Sequence, residues 1–191
     1  MSRFTPINLK PFYNHKMVYT KLPKEKTDQE FGLDNICILR SDVKLKEHDI
    51  LDDVEFCFDF GKLDNVICTS QKMTINAPAT TIHFVGFAYW GDVNEYIKIT
   101  YDDLSEEIIR VPFIDWAHMA HSEPWSTEWY GENISTVRTV LTSGALTHLA
   151  YFHHMTCEIG QQKNIKEMLL PDNMFTHIFA ITLEDKPIEK I

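Results

Sequence analysis

The stretch Val54-Glu55-Phe56-Cys57-Phe58-Asp59-Phe60 sets Val54, Phe56, Phe58 and Phe60 on one face of an extended chain and Glu55, Cys57 and Asp59 on the other. Alternation of this kind belongs to a strand with one face on a core and one in water, and Gly61 ends it. Tyr96 to Tyr101 repeats the pattern, with Ile97, Ile99 and Tyr101 opposed to Tyr96, Lys98 and Thr100. The turn residues Asp102-Asp103 then lead into Ile108 to Phe113, so these two runs predict a hairpin.

Thr81 to Trp90 is different, because Ile82, Phe84 and Ala88 stand opposite Val85, Phe87 and Tyr89. A strand that is apolar on both sides is covered on both sides. Thr176 to Leu183 reads the same way, after the turn Pro171-Asp172-Asn173. Shorter strands fit Asn35 to Leu39, Asn65 to Thr74 and Ile165 to Leu170. Ser143 to Glu158 admits either a helical stripe (Leu146, Leu149, Ala150, His153) or a long strand, and the strands around it favour the second. Many short strands without a convincing amphipathic helix point to a sandwich or barrel, and the expectation is one all-β domain, an antiparallel β-sandwich, over residues 1–191.

Composition agrees. Apolar residues at 44% and charged residues at 24% suit a packed chain and exclude a disordered one. Aromatics at 12% favour pleated surfaces and also supply stacking platforms. A formal charge of -10 repels phosphate backbones, which argues against nucleic acid as a partner. No apolar run is long enough to span a membrane as a helix, and the first ten residues lack the apolar core of a signal peptide. Cys37, Cys57, Cys68 and Cys157 form no CxxC pair or zinc spacing, so the expectation is a cytoplasmic chain with reduced, packed thiols. The polar stretch Lys21 to Glu30 reads as an exposed loop, and Asn133-Ile134-Ser135 has the form of a glycosylation acceptor.

The densest polar-aromatic segment is Asp115-Trp116-Ala117-His118-Met119-Ala120-His121-Ser122-Glu123-Pro124-Trp125, followed by Trp129-Tyr130. It reads as a long loop at the sandwich edge. A sugar presents flat C–H faces and a ring of hydroxyls, so its site needs aromatic plates plus carboxylate or imidazole groups. Trp125, Trp129 and Tyr130 supply the plates, and His118, His121 and Glu123 the polar groups. The plainer reading has Trp116 plugging the core and its neighbours bracing the loop. His118 and His121 also form an HxxH pair, to which His148, His153 or His154 could add a third metal ligand, although the HExxH signature is absent. Adjacent His153 and His154 would point to opposite faces of a strand.

The carboxylate pairs Asp52-Asp53, Asp102-Asp103 and Glu106-Glu107 read as turn and edge-strand residues rather than a glycosidase pair, which needs carboxyls roughly 5–9 Å apart across a cleft. Loop carboxylates with backbone carbonyls could hold a structural calcium ion, although no EF-hand pattern is present. P-loop, GxGxxG and GxSxG motifs are absent, and Cys68 and Cys157 in strands read as inert.

Phe12-Tyr13-Asn14, Phe58-Asp59-Phe60-Gly61-Lys62-Leu63-Asp64-Asn65-Val66-Ile67, Ile75-Asn76-Ala77-Pro78, Ile82 to Gly91, Ile97 to Asp103, Asp115-Trp116, Leu169-Leu170-Pro171 and Ile178 to Leu183 occur in that order. Together they resemble the galactose-binding-like jelly-roll domains of the carbohydrate-binding-module type found beside glycoside hydrolases. The resemblance implies a jelly roll that binds carbohydrate without catalysing a reaction. Two other readings stay open: a metal-dependent enzyme on a small sugar-like substrate, and a protein–protein interaction or assembly domain, which could be a homo-oligomer.

Overall fold

In the computed structural model, residues 2–22, 33–34, 36–120 and 133–186 are described, with Gln161 as backbone only. The expected loop at Lys21 to Glu30 falls largely outside them. Twelve strands form among the described residues: β1 (Arg3–Pro6), β2 (Val18–Tyr19), β3 (Ile36–Leu39), β4 (His48–Leu51), β5 (Val54–Cys57), β6 (Val66–Thr69), β7 (Lys72–Ala88), β8 (Val93–Tyr101), β9 (Glu106–Phe113), β10 (Ile134–Gly144), β11 (Leu149–Leu169) and β12 (Asp172–Asp185). The one α-helix among them is the single turn α1 (Arg40–Val43). The chain is an all-β sandwich.

The large sheet runs β1-β12-β7-β11-β10-β3-β2, with β6 also on β12, β8 on β11 and β9 on β8. Every pairing is antiparallel except the short parallel contact of β2 with β3. Alternation along β7 divides the interior in two. Ile82, Phe84 and Ala88 join Ile97, Ile99, Tyr101, Val111 and Phe113 in one core. Val85 and Phe87 join Phe56, Trp116, Val140, Phe152 and Phe179 in the other.

The strands β7 and β11 are long enough to serve two layers. β8 pairs with the far end of β11, at Ile165–Leu169. Yet Phe113 of β9 packs edge-on against Phe84, at 6.2 Å, in the other half of β7. The β8–β9 hairpin is therefore folded back over the face carrying Phe84. The change of direction coincides with a register shift between Glu158 and Lys163 and a left-handed Asn76, at φ 55°.

Most expected strands are present, with different limits. Residues 65–74 are two strands, divided at Ser70, whose φ is 59°. Ser143 to Glu158 is the end of β10, a turn at 145–148 and the start of β11, so the strand reading holds but a hairpin turn interrupts it. The buried thiols Cys37, Cys68 and Cys157 are free, and burial pushes Cys157 up to about 12.

The β8–β9 connection carries a local misfit. Asp102 and Asp103 make the turn and Leu104 follows at φ 66°, the place where a hairpin of this kind prefers glycine. Leu104 is 68% exposed, so its side chain returns little packing for that strain. Leu104→Gly is expected to stabilise the chain by about 0.5–1 kcal/mol, seen as a higher urea midpoint at unchanged slope.

Candidate functional site

The second core ends in polar residues. His83 on β7 is paired in register with Thr156 on β11 and Thr182 on β12. Because side chains alternate, His83, His154, Thr156 and Glu184 all emerge on the face that carries Val85 and Phe87. The β4–β5 hairpin reaches over this end of the sheet. Its turn residues Asp52 and Asp53 both have positive φ, 49° and 64°, which makes a tight two-residue turn.

These elements build a line of four titratable groups. Glu184 Oε2 lies 3.1 Å from His83 Nε2, His83 Nδ1 lies 3.0 Å from His154 Nε2, and His154 Nδ1 lies 3.0 Å from Asp52 Oδ2. Ser135 on β10 donates its hydroxyl to the same Asp52 oxygen. His83, His154 and Glu184 are buried, at 4%, 4% and 6% exposure, whereas the Asp52 side chain is half exposed. The line thus runs from the interior to solvent.

Burial pushes His83 down to about 4, against the upward pull of its bond to Glu184. Burial likewise lowers His154, against Asp52. Burial alone would raise Asp52, but the bonds from Ser135 and His154 outweigh it and hold the carboxyl below its usual range. Glu184 is also held low, with bonds from Ser2 and His83 outweighing burial. At neutral pH the line is therefore two carboxylates and two neutral imidazoles.

Proton counting then shows a shortage. Three links in series need three protons, and two neutral imidazoles bring two. Bonds to carboxylates are the stronger, so the outer links take them. The inner pair is left with two lone pairs, into which the Thr156 hydroxyl can donate from 3.3 and 3.4 Å.

A cavity of about 370 Å³ opens beside this line, lined by Phe4, Asp52, Asp53, Val54, His83, Asn133, Ile134, Ser135, His154, Thr156 and Glu184. Phe4 stands edge-on to His83 at 6.3 Å, and Phe56 edge-on to His154 at 5.3 Å. The wall holds carboxylates, an amide, two hydroxyls and imidazole beside an aromatic ring, groups suited to gripping a ring of hydroxyls.

Of the residues expected to bind ligand, His121, Glu123, Trp125, Trp129 and Tyr130 lie outside the described residues. His118 is described: its side chain is 56% exposed and Nδ1 sits 3.2 Å from Asp92 Oδ1. Trp116 is a core residue, 3% exposed, packed on Phe87, Tyr89 and His148 at 5.6, 5.5 and 5.1 Å. Asp115 shapes the chain around it by accepting from the amides of Gly91 and Ala117. Ala120 N donates to Thr136 Oγ1 and Thr156 N to the Asn133 carbonyl, so the described chain on either side of the Trp-rich stretch is tied to β10 and β11.

His153 and His154 do face opposite ways, His153 toward the first core and His154 toward the cavity. Among the described residues no three His, Cys, Asp or Glu side chains gather to hold a metal. Sequence reasoning missed His83, Glu184 and Ser135, and gave His154 only as a possible third metal ligand beside His118 and His121. The available signal was a histidine in an otherwise apolar, doubly covered strand, since a buried imidazole needs partners.

The chain matches no protein-family model, and no curated protein matches it. Among the described residues no helix is long and apolar enough to cross a membrane.

Proposed function

We propose that the protein is a non-catalytic carbohydrate-binding module of the galactose-binding-like, jelly-roll kind, and that a small sugar sits in the cavity under the β4–β5 turn. The observation that carries this reading is the convergence of Asp52, Asn133, Ser135, His154 and Phe4 on one space of about 370 Å³. Carboxylate, amide and hydroxyl groups meet the ligand's hydroxyls while the Phe4 ring meets a C–H face. The Trp-rich stretch runs directly into Asn133 and Ile134 of the cavity wall, so aromatic residues precede the site in the chain. Four unpaired cysteines suit a reducing, cytoplasmic setting.

Titration of the full chain with a monosaccharide panel, followed by amide NMR shifts, tests the reading. Saturable shifts are expected at Asp53, Asn133, Ser135 and His154. Asp52→Asn should weaken the best sugar about tenfold or more, the loss typical of a charged hydrogen-bond partner. Shifts confined to the neighbourhood of His118 would move the sugar to the Trp-rich stretch instead. Absence of any saturable shift would remove the proposal.

A further inference from the structure

We infer that Cys57 and His48 form a thiol-exchange site, at which the chain takes up one half of a small amino-acid disulfide as a mixed disulfide. Two observations carry it, one from the β4–β5 hairpin and one from the segment that follows β1. The site shares no residue with the cavity of the proposed sugar.

The hairpin supplies the reacting pair. Its register sets His48 of β4 directly across from Cys57 of β5, and the ladder continues in the bond from Phe58 N to the Glu47 carbonyl. Alternation sends Val54 and Phe56 into the core, so Cys57 leaves on the opposite face with Glu55. Its Sγ lies 3.1 Å from His48 Nδ1. The other three thiols are buried, whereas Cys57 is half-buried and His48 is exposed. Burial, with Glu55 adding to it, pushes the Cys57 thiol up. The thiolate is the nucleophile, so a thiol held protonated reacts when a neighbour takes its proton. His48 is placed to do so, in the tautomer with its proton on Nε2 and its Nδ1 lone pair toward sulfur.

Space for a reactant is the second observation, and a separate part of the chain provides it. A cavity of about 210 Å³ opens beside Cys57, and Asn8, Lys10, Tyr13 and Asp59 also line it. It is smaller than the roughly 300–1,000 Å³ of sites for drug-sized ligands, so it takes a group of a few heavy atoms rather than a protein chain. Lys10 Nζ and Asp59 Oδ2 stand 2.8 Å apart there, with 73% and 33% of their side chains exposed. An ion pair that open is weakly held. An amino-acid head group carries both charges, so its carboxylate can turn to Lys10 and its ammonium to Asp59. Cystine has such a head on each side of its sulfur–sulfur bond.

The step balances without a further oxidant. His48 Nδ1 takes the proton of Cys57, and Sγ attacks one sulfur of cystine. The bond between the cystine sulfurs breaks as the new bond to Cys57 Sγ forms. The departing thiolate takes the proton back from His48 and leaves as cysteine. One disulfide is consumed and one is made.

The test mixes the full chain with cystine or with 2-hydroxyethyl disulfide, its neutral counterpart, and locates the bound thiol by mass spectrometry. Each rate is divided by that of N-acetylcysteine with the same disulfide, which removes the leaving group's own reactivity. One equivalent is expected, on Cys57, lost in Cys57→Ser and released by dithiothreitol. The normalised rate with cystine is expected to exceed that with the neutral disulfide at least about tenfold. Lys10→Gln should cut this preference to under about threefold while leaving the rate with the neutral disulfide unchanged. His48→Gln should slow both reactions at least about tenfold, with an unchanged circular dichroism spectrum. Equal normalised rates for the two disulfides would overturn the choice of an amino-acid disulfide. A parent rate in His48→Gln would overturn the reacting pair and the inference with it.

Discussion

Gly86→Ala is expected to unfold the chain or to cost it more than about 3 kcal/mol, beyond the usual range for an overpacked position. A methyl group at Gly86 would lie 2.2 Å from the carbonyl oxygen of His177 and 3.3 Å from Ile178 Cα. Both are backbone atoms of β12, where the register shifts between Ile178 and Ala180. On its other side Gly86 is held opposite His153 of β11. The strand cannot move away without losing pairing on one flank, so the clash has no cheap release. Gly160→Ala is the matched control. There the new carbon would meet Glu107 Oε1 at 3.4 Å, close to ordinary contact with a side-chain end that can swing, and the cost should stay under about 1 kcal/mol. Urea unfolding of both variants, read by circular dichroism, decides the matter. A Gly86→Ala midpoint equal to that of the parent would show that the β7–β12 approach is looser than described.

Stability is expected to fall steeply as pH drops from about 6.5 to about 4. Burial pushes His153 down to about 4, and His177 lies well below its usual value, again through burial with the His15 ring adding to the effect. Both residues are completely buried, and Nε2 of each has no hydrogen-bond partner. The unfolded chain takes up a proton at each imidazole near pH 6.5, whereas the folded chain resists until far lower. Acid therefore favours the unfolded state throughout that window. For His153 a depression from 6.5 to about 4 is worth about 3 kcal/mol, and His177 acts in the same direction. Small domains hold only about 5–15 kcal/mol in total, so acid unfolding should begin well above the range in which carboxylates protonate. Denaturant melts from pH 8 to pH 4.5 should show stability level above about 7 and falling below it. His153→Gln should flatten that slope by about one proton's worth. A profile with no fall until below pH 4.5 would mean that these imidazoles are reached by water.

Much of the architecture could be read from the chain because alternation is a local signal. Val54 to Phe60 buries Val54, Phe56 and Phe58 as its pattern requires, and the two-sided apolar run after Thr81 lies between two cores. The length of β7 was not legible. The run Asn76-Ala77-Pro78-Ala79-Thr80, with its proline and left-handed Asn76, separates its halves, yet backbone pairing to β11 carries the strand through. The cavity was hidden for a related reason. Asp52 reads as a turn residue, which it is, and Ser135 is singled out in the sequence only as part of a glycosylation-acceptor form. Only the pairing of Thr156 and Thr182 with His83 brings His154 and Glu184 beside it, and register over that span leaves no mark in a short window.

The place of β12 has a consequence for synthesis. It lies between β7 on one edge and β1 and β6 on the other, with Arg3 paired to Asp185. On the ribosome β1 emerges well before β12 and stays without that partner until β12 follows. Until then β7 and β6 expose apolar faces and free edges, a state prone to joining other nascent chains. Closure over so long a separation is slow, which gives proteins that shield exposed strands an interval to act on this chain before β12 docks.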